Sequence, residues 1–130
     1  MKNITVVGGG ACGCAVFIEL VIQILAEELQ EKVSLTLIEK DKKIGYGLAF
    51  GTQQKSHLLN TQADLMGIFG EEPEHFATWL KEKRKNFEAY RTSSEAEETY
   101  TSRLLYGDYV AEQLSIFKEK AIQGGIQVNF

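Results

Sequence analysis

Ile4-Thr5-Val6-Val7-Gly8-Gly9-Gly10-Ala11-Cys12-Gly13 opens the chain with a β-branched run that stops at three consecutive glycines. Such a run is the pattern of a short strand buried on both faces, and the glycines after it mark a tight turn. Downstream, Val16, Phe17, Leu20, Val21, Ile24 and Leu25 recur at helical spacing. They predict a helix that starts in the glycines and runs to about Gln30, with Glu27, Glu28 and Glu31 in solvent. Val33 to Glu39 (VSLTLIE) alternates β-branched and apolar residues and predicts a second strand, parallel to the first through a right-handed crossover. The fold class expected is therefore α/β, a Rossmann-like three-layer dinucleotide-binding fold with a parallel sheet.

Gly8-Gly9-Gly10-Ala11-Cys12-Gly13 matches G-x-G-x-x-G, a pattern that means little alone because glycine-rich turns are common. Here it follows a predicted strand, opens a predicted helix and precedes a second strand ending in an acid, which is the context that makes it a fingerprint. Gly8 permits the turn, Gly10 lets the backbone approach a pyrophosphate, and Gly13 lets helix and strand pack closely. Ala11 and Cys12 sit in the first helical turn, where unpaired N–H groups and the positive end of the helix dipole meet the phosphates. Glu39 supplies a carboxylate for a ribose and disfavours a 2′-phosphate, while Lys40 beside it acts in the opposite sense. The plainer explanation is a turn forced by packing and an ordinary surface glutamate. A methyltransferase also pairs a glycine turn with an acid, but its first strand usually brings an acid up to the glycines and Thr5-Val6-Val7 brings none.

From Lys40 to Gly70 the periodicity is poor and glycines recur at 45, 47, 51, 67 and 70. An irregular loop of this length in a compact domain usually has a function. Pro73 is suited to the first turn of a helix, in which Phe76, Trp79 and Leu80 follow at i, i+3, i+4 spacing as core residues. The helix is expected to fade in Lys81 to Lys85, and Asn86 to Ser102, with Ser93 and Ser94, to form a mobile polar excursion. Leu105, Tyr109, Val110, Leu114, Phe117 and Ala121 predict a further helix over Arg103 to Gln123, stopped by Gly124 and Gly125. Ile126 to Phe130 then begins a third strand. One domain over residues 1–130 is expected, incomplete because such a domain needs further strands.

The 130 residues carry a net charge of −4 and a pI near 5.2, with 44% hydrophobic and 25% charged residues. That balance is ordinary for a water-soluble globular chain and offers nucleic acid or an anionic membrane no electrostatic attraction. Met1 to Val7 is too short an apolar run for a secretion signal. Ala15 to Ala26, interrupted by Glu19 and Gln23, is too short to span a bilayer. Cys12 and Cys14 are too close in sequence to staple a loop and are expected as free thiols in a reducing cytoplasm. Both are read as small buried fillers, since two cysteines without clustered histidines make a poor metal site. His75 is expected on a helix surface and His57 within its own turn, neither with a catalytic role.

Taken together, GGGACG, IEKDKKIGYGLAFGT, HLLNTQADLMGIF, HFATWL and RLLYGDYV resemble the amino-terminal part of the FAD-NAD(P)-binding family, whose members resemble the lysine and ornithine N-monooxygenases. The resemblance covers nearly the whole chain, and its middle motifs are more specific than the glycine turn. It implies that the turn and the acid hold the ADP half of FAD, through Gly8, Gly10, Ala11, Cys12, Gly13, Glu39 and Lys40. It also implies that Gly45 to Ala49, with Gly47, runs beside the cofactor. Asn60 and Thr61 are implied at the ribityl or ring edge, and Arg103 either faces the cofactor or pairs locally. Family members are several times longer and carry a second site for NAD(P)H, so the chain is expected to be a fragment of a longer flavin-dependent oxidoreductase, inactive alone. The alternatives are a nucleotide-binding or interaction module that has lost the reaction, and an NAD-binding domain without flavin.

Overall fold

The computed structural model describes residues 1–28, 31–92 and 94–130. Its elements are β1 (Lys2–Val7), α1 (Ala11–Ala26), β2 (Val33–Ile38), α2 (Gly47–Phe50), α3 (His75–Asn86), α4 (Glu95–Tyr100), α5 (Arg103–Gln123) and β3 (Gln127–Asn129). Single 3-10 turns occur at Ala63–Leu65 and Glu88–Tyr90. The chain divides into two compact units, one of residues 1–48 with 110–130 and the other of residues 49–109. The sequence shows no break in composition at either boundary.

The first unit is an α/β fold built on a three-stranded parallel sheet in the order β1-β2-β3, a partial Rossmann-like arrangement. In register, Ile4 pairs with Leu35 and Val6 with Leu37, so these side chains share one face. Leu35 and Leu37 are fully buried there, and α1 packs on that side through Phe17, Ile18 and Val21. The other face carries Asn3, Thr5 and Val7 beside Ser34, Thr36 and Ile38. It is largely wet: Val7 is 78% exposed and Ile38 50%, and Asn129 donates through Nδ2 to Ser34 Oγ and Thr36 Oγ1. β1 is thus an edge strand with one half-buried face, not a strand buried on both faces; the strand with the buried pattern is β2.

Helix α1 ends at Ala26, with Glu27 as its cap and Glu28 in a left-handed conformation at φ 46°. It therefore stops short of the predicted end near Gln30, a residue outside those described. Val16, expected on the apolar face, is 52% exposed, and Ile18 takes its place in the core. Helix α5 covers the predicted range, and Gly125, at φ 81°, makes the left-handed stop before β3.

The second unit is held by an aromatic core of Phe76, Trp79, Tyr106 and Tyr109, whose ring centroids lie 4.9–6.0 Å apart. Spacings of this kind add to the burial energy of the rings themselves. Phe76, Trp79 and Leu80 are buried as their spacing predicts. Pro73 lies outside α3, which is capped by Glu74 and continues through the basic run to Asn86. The expected polar excursion folds as the 3-10 turn and as α4, whose cap Ser94 accepts from the N–H of Glu97. Ser93 lies outside the described residues.

Candidate functional site

The glycine turn joins the end of β1 to α1 in the first unit. Gly8 donates its N–H to the Ile38 carbonyl at 2.8 Å and turns at φ 100°, a region L side chains rarely adopt. Gly13, one turn into α1, lies so close to the carbonyl of Gly8 that a Cβ there would overlap the oxygen. That contact lets helix and strand meet. Gly10 is the N-cap of α1 and no side chain caps the helix. The N–H groups of Ala11, Cys12 and Gly13 therefore find no partner inside the helix, and nothing else in the turn consumes them.

Gly9 ties three segments together. Its N–H donates to Glu39 Oε2 at 2.6 Å, and its carbonyl accepts from the Gly45 N–H at 2.6 Å. The second oxygen of Glu39, Oε1, accepts from the Asp41 N–H at 3.1 Å. These backbone donors, Asp41 first and then Gly9, hold the Glu39 carboxyl below its ordinary pKa, with a smaller contribution from Lys40. The carboxylate is thus ionised and aimed at the glycine turn, with lone pairs left on both oxygens. Lys40 is exposed.

The 45–47 turn lies against the glycine turn. Gly45 and Gly47 take φ 104° and 58°. A Cβ on Gly47 would approach Gly10 Cα to 3.2 Å, whereas one on Gly45 would meet Ala111 Cα at 3.1 Å. The neighbour of Gly10 is accordingly the backbone of Gly47, and a Cβ on Gly10 would meet Gly47 Cα at an ordinary 3.6 Å. Of the three glycines Gly9, Gly10 and Gly13, the strictest steric demands fall at Gly13 and at Gly9, where a Cβ would sit 2.8 Å from Glu39 Cβ. Sequence reasoning missed Gly9 because G-x-G-x-x-G treats its position as free. The signal was the unbroken run of three glycines.

The two cysteines part company. Cys14 is fully buried, donates weakly to the Gly9 carbonyl at 3.5 Å, and burial pushes its thiol up to about 12. Cys12 is exposed on the first turn of α1, which corrects its expected role as a buried filler: two residues before Cys14, it lies on the opposite side of the helix from the buried face.

The remaining predicted residues belong to the second unit. Asn60 is exposed and Thr61 half-buried, joined by a bond of 3.5 Å from Thr61 Oγ1 to Asn60 Oδ1. They follow Leu59, whose N–H donates to the Thr101 carbonyl. Arg103 reaches across to the 57–58 segment, donating from Nε to the Leu58 carbonyl at 3.0 Å and from its N–H to the His57 carbonyl. His57 bonds within its own turn, its Nδ1 2.7 Å from Thr52 Oγ1. His75 is half-buried rather than a freely exposed helix residue. It packs edge-on against Phe69, and its Nδ1 lies 2.8 Å from the hydroxyl of buried Tyr109, which also accepts from the Ile68 N–H. Burial raises the pKa of Tyr109 far above the ordinary phenol range.

The chain matches the FAD-NAD(P)-binding family over residues 5–130. It belongs to that family. No curated protein matches it. Family membership makes a dinucleotide the cofactor class, and the match begins at Thr5, within the strand that delivers the glycine turn. Among the described residues no helix is long and apolar enough to cross a membrane.

Proposed function

We propose that the first unit holds FAD, with the ADP half at the glycine turn, as part of a flavin-dependent oxidoreductase of the lysine and ornithine N-monooxygenase kind. The observation that carries this reading is the uncapped start of α1 facing a carboxylate fixed on the same turn. The donor set fits the group: N–H groups without internal partners suit a diphosphate, and an ionised carboxylate with free lone pairs suits a ribose diol. Ala11, Cys12 and Gly13 would bind the pyrophosphate through their backbones, Gly8 and Gly10 would let it approach, and Glu39 would orient the ribose. Lys40 would lie at the ribose side and Gly47 along the diphosphate. By the family resemblance, Asn60 and Thr61 would bond the ribityl chain or ring edge. The bound flavin would supply the redox chemistry, while the protein supplies position and electrostatics. NAD(P)H is the proposed electron donor of the complete enzyme, and the cytoplasm its compartment.

Two measurements test this. Protein purified without added cofactor should show a flavin absorption spectrum, or acquire one on adding FAD. Melting in the presence of FAD, NAD and NADP should give the largest rise with FAD, because a ligand bound only by the folded chain stabilises it. A rise with NAD and none with FAD would replace flavin by a nicotinamide cofactor; no rise with any of the three would leave a module without nucleotide binding.

A further inference from the structure

A cleft of about 80 Å³ opens within the second unit between the 88–92 segment and the start of α5. Its apolar wall comes from Tyr90, Leu104 and Leu105, and its charged groups are Lys55, Arg91 and Glu97. Arg84 fixes the surround. Its guanidinium donates from Nε to the Tyr90 carbonyl at 3.3 Å, and from Nη2 to the Glu97 carbonyl at 3.4 Å and to Thr101 Oγ1 at 3.0 Å. Thr101, which also lines the cleft, is fully buried at φ 54°, ψ 161°. A β-branched residue in that region stores strain that the surrounding contacts must hold, and such strain gathers at functional sites.

Among the described residues, the side chains of Lys55 and Glu97 take part in no ion pair or hydrogen bond, and the side chain of Arg91 donates from Nε to the Arg84 carbonyl at 3.2 Å. Two cations and one carboxylate line the cleft, and the Arg84 guanidinium behind them adds a third cation, so the charge beside the apolar wall favours an anion. We propose that this cleft binds a small monocarboxylate with a short apolar body. The carboxylate takes Lys55 and Arg91 as partners, and the hydrocarbon lies on Tyr90, Leu104 and Leu105. The apolar wall suits a hydrocarbon body that inorganic phosphate lacks, and the volume admits only a few heavy atoms.

Trp79, the single tryptophan, stands edge-on to Tyr90 with centroids 5.8 Å apart, so its emission reports on the cleft. Titration with butanoate should give a saturable change in Trp79 emission and a rise in melting temperature, while butanol and butylamine give neither. Lys55→Ala, which removes a side chain without a structural partner, and Arg91→Ala should each weaken butanoate about tenfold, as loss of a charge-assisted hydrogen bond does. The proposal falls if butanoate produces no saturable response in the wild-type chain, if butanol matches it, if inorganic phosphate binds more tightly, or if Lys55→Ala leaves the affinity unchanged.

Discussion

The carboxylate of Glu39 accepts the peptide N–H of Gly9 at 2.6 Å, so the acid at the end of the second strand is bonded to the glycine turn before any ligand arrives. This bond makes the turn sensitive to acid. Because the folded pKa of Glu39 is depressed, its contribution is complete above its ordinary value of 4.5 and is lost as pH falls through the lowered folded value. Between pH 7 and pH 3 the wild-type melting temperature should fall more than that of Glu39→Gln, which cannot ionise. Parallel curves would separate the carboxylate from the stability of the turn. Glu39→Ala should also weaken FAD roughly ten- to a hundredfold, by leaving ribose hydroxyls without a partner.

Gly13 and Gly10 should behave differently on substitution. Gly13→Ala drives a Cβ into the Gly8 carbonyl and is expected to cost about 1–3 kcal/mol of stability, the range for forced overpacking. Gly10→Ala meets Gly47 only at contact distance and should melt close to the wild type. Gly10→Val should leave the chain folded but abolish nucleotide binding, since its branches occupy the space beside Gly47. Denaturant melts of the three variants, with FAD titrations, check the order.

The thiols offer a chemical test. Cys12 is exposed, while Cys14 is buried with its pKa near 12, so a thiol reagent at neutral pH should modify one cysteine in the folded chain and two in denaturant. Bound FAD should slow the reaction of Cys12, because that residue lies on the turn assigned to the diphosphate. Equal reaction rates with and without FAD would speak against the assignment.

Tyr109→Phe removes the hydroxyl that receives the Ile68 N–H and faces His75 Nδ1. It should destabilise the chain by about 1–3 kcal/mol, the cost of leaving a part-buried donor unpaired. A change below a few tenths would mean that water replaces the hydroxyl.

Features set by local periodicity were legible in the residues themselves. The range of α5, the strand at Val33–Ile38, the glycine stop at Gly125 and the buried trio Phe76, Trp79 and Leu80 all follow from spacing within a few turns. Family and fold class were legible from the motifs. The exposure of Val7 was not, because a β-branched run reads alike whether one face or two are covered, and only the register with β2 decides. His75 finds Tyr109 across more than thirty intervening residues, a distance that no local pattern spans. Likewise, the early end of α1 rests on Glu28 adopting a left-handed backbone, which nothing in an acidic tail signals. Gly9 was concealed by a motif that counts only the glycines on either side of it.

The hydrated side of the sheet bears on the calorimetry of the first unit. Thr5, Thr36 and Asn129 present hydroxyls and an amide on a surface already in contact with water, so melting uncovers new hydrocarbon mainly from the side that meets α1. Since the heat-capacity increment of unfolding follows the apolar area released, this unit should absorb less extra heat per degree than a parallel sheet of equal length with helices on both sides.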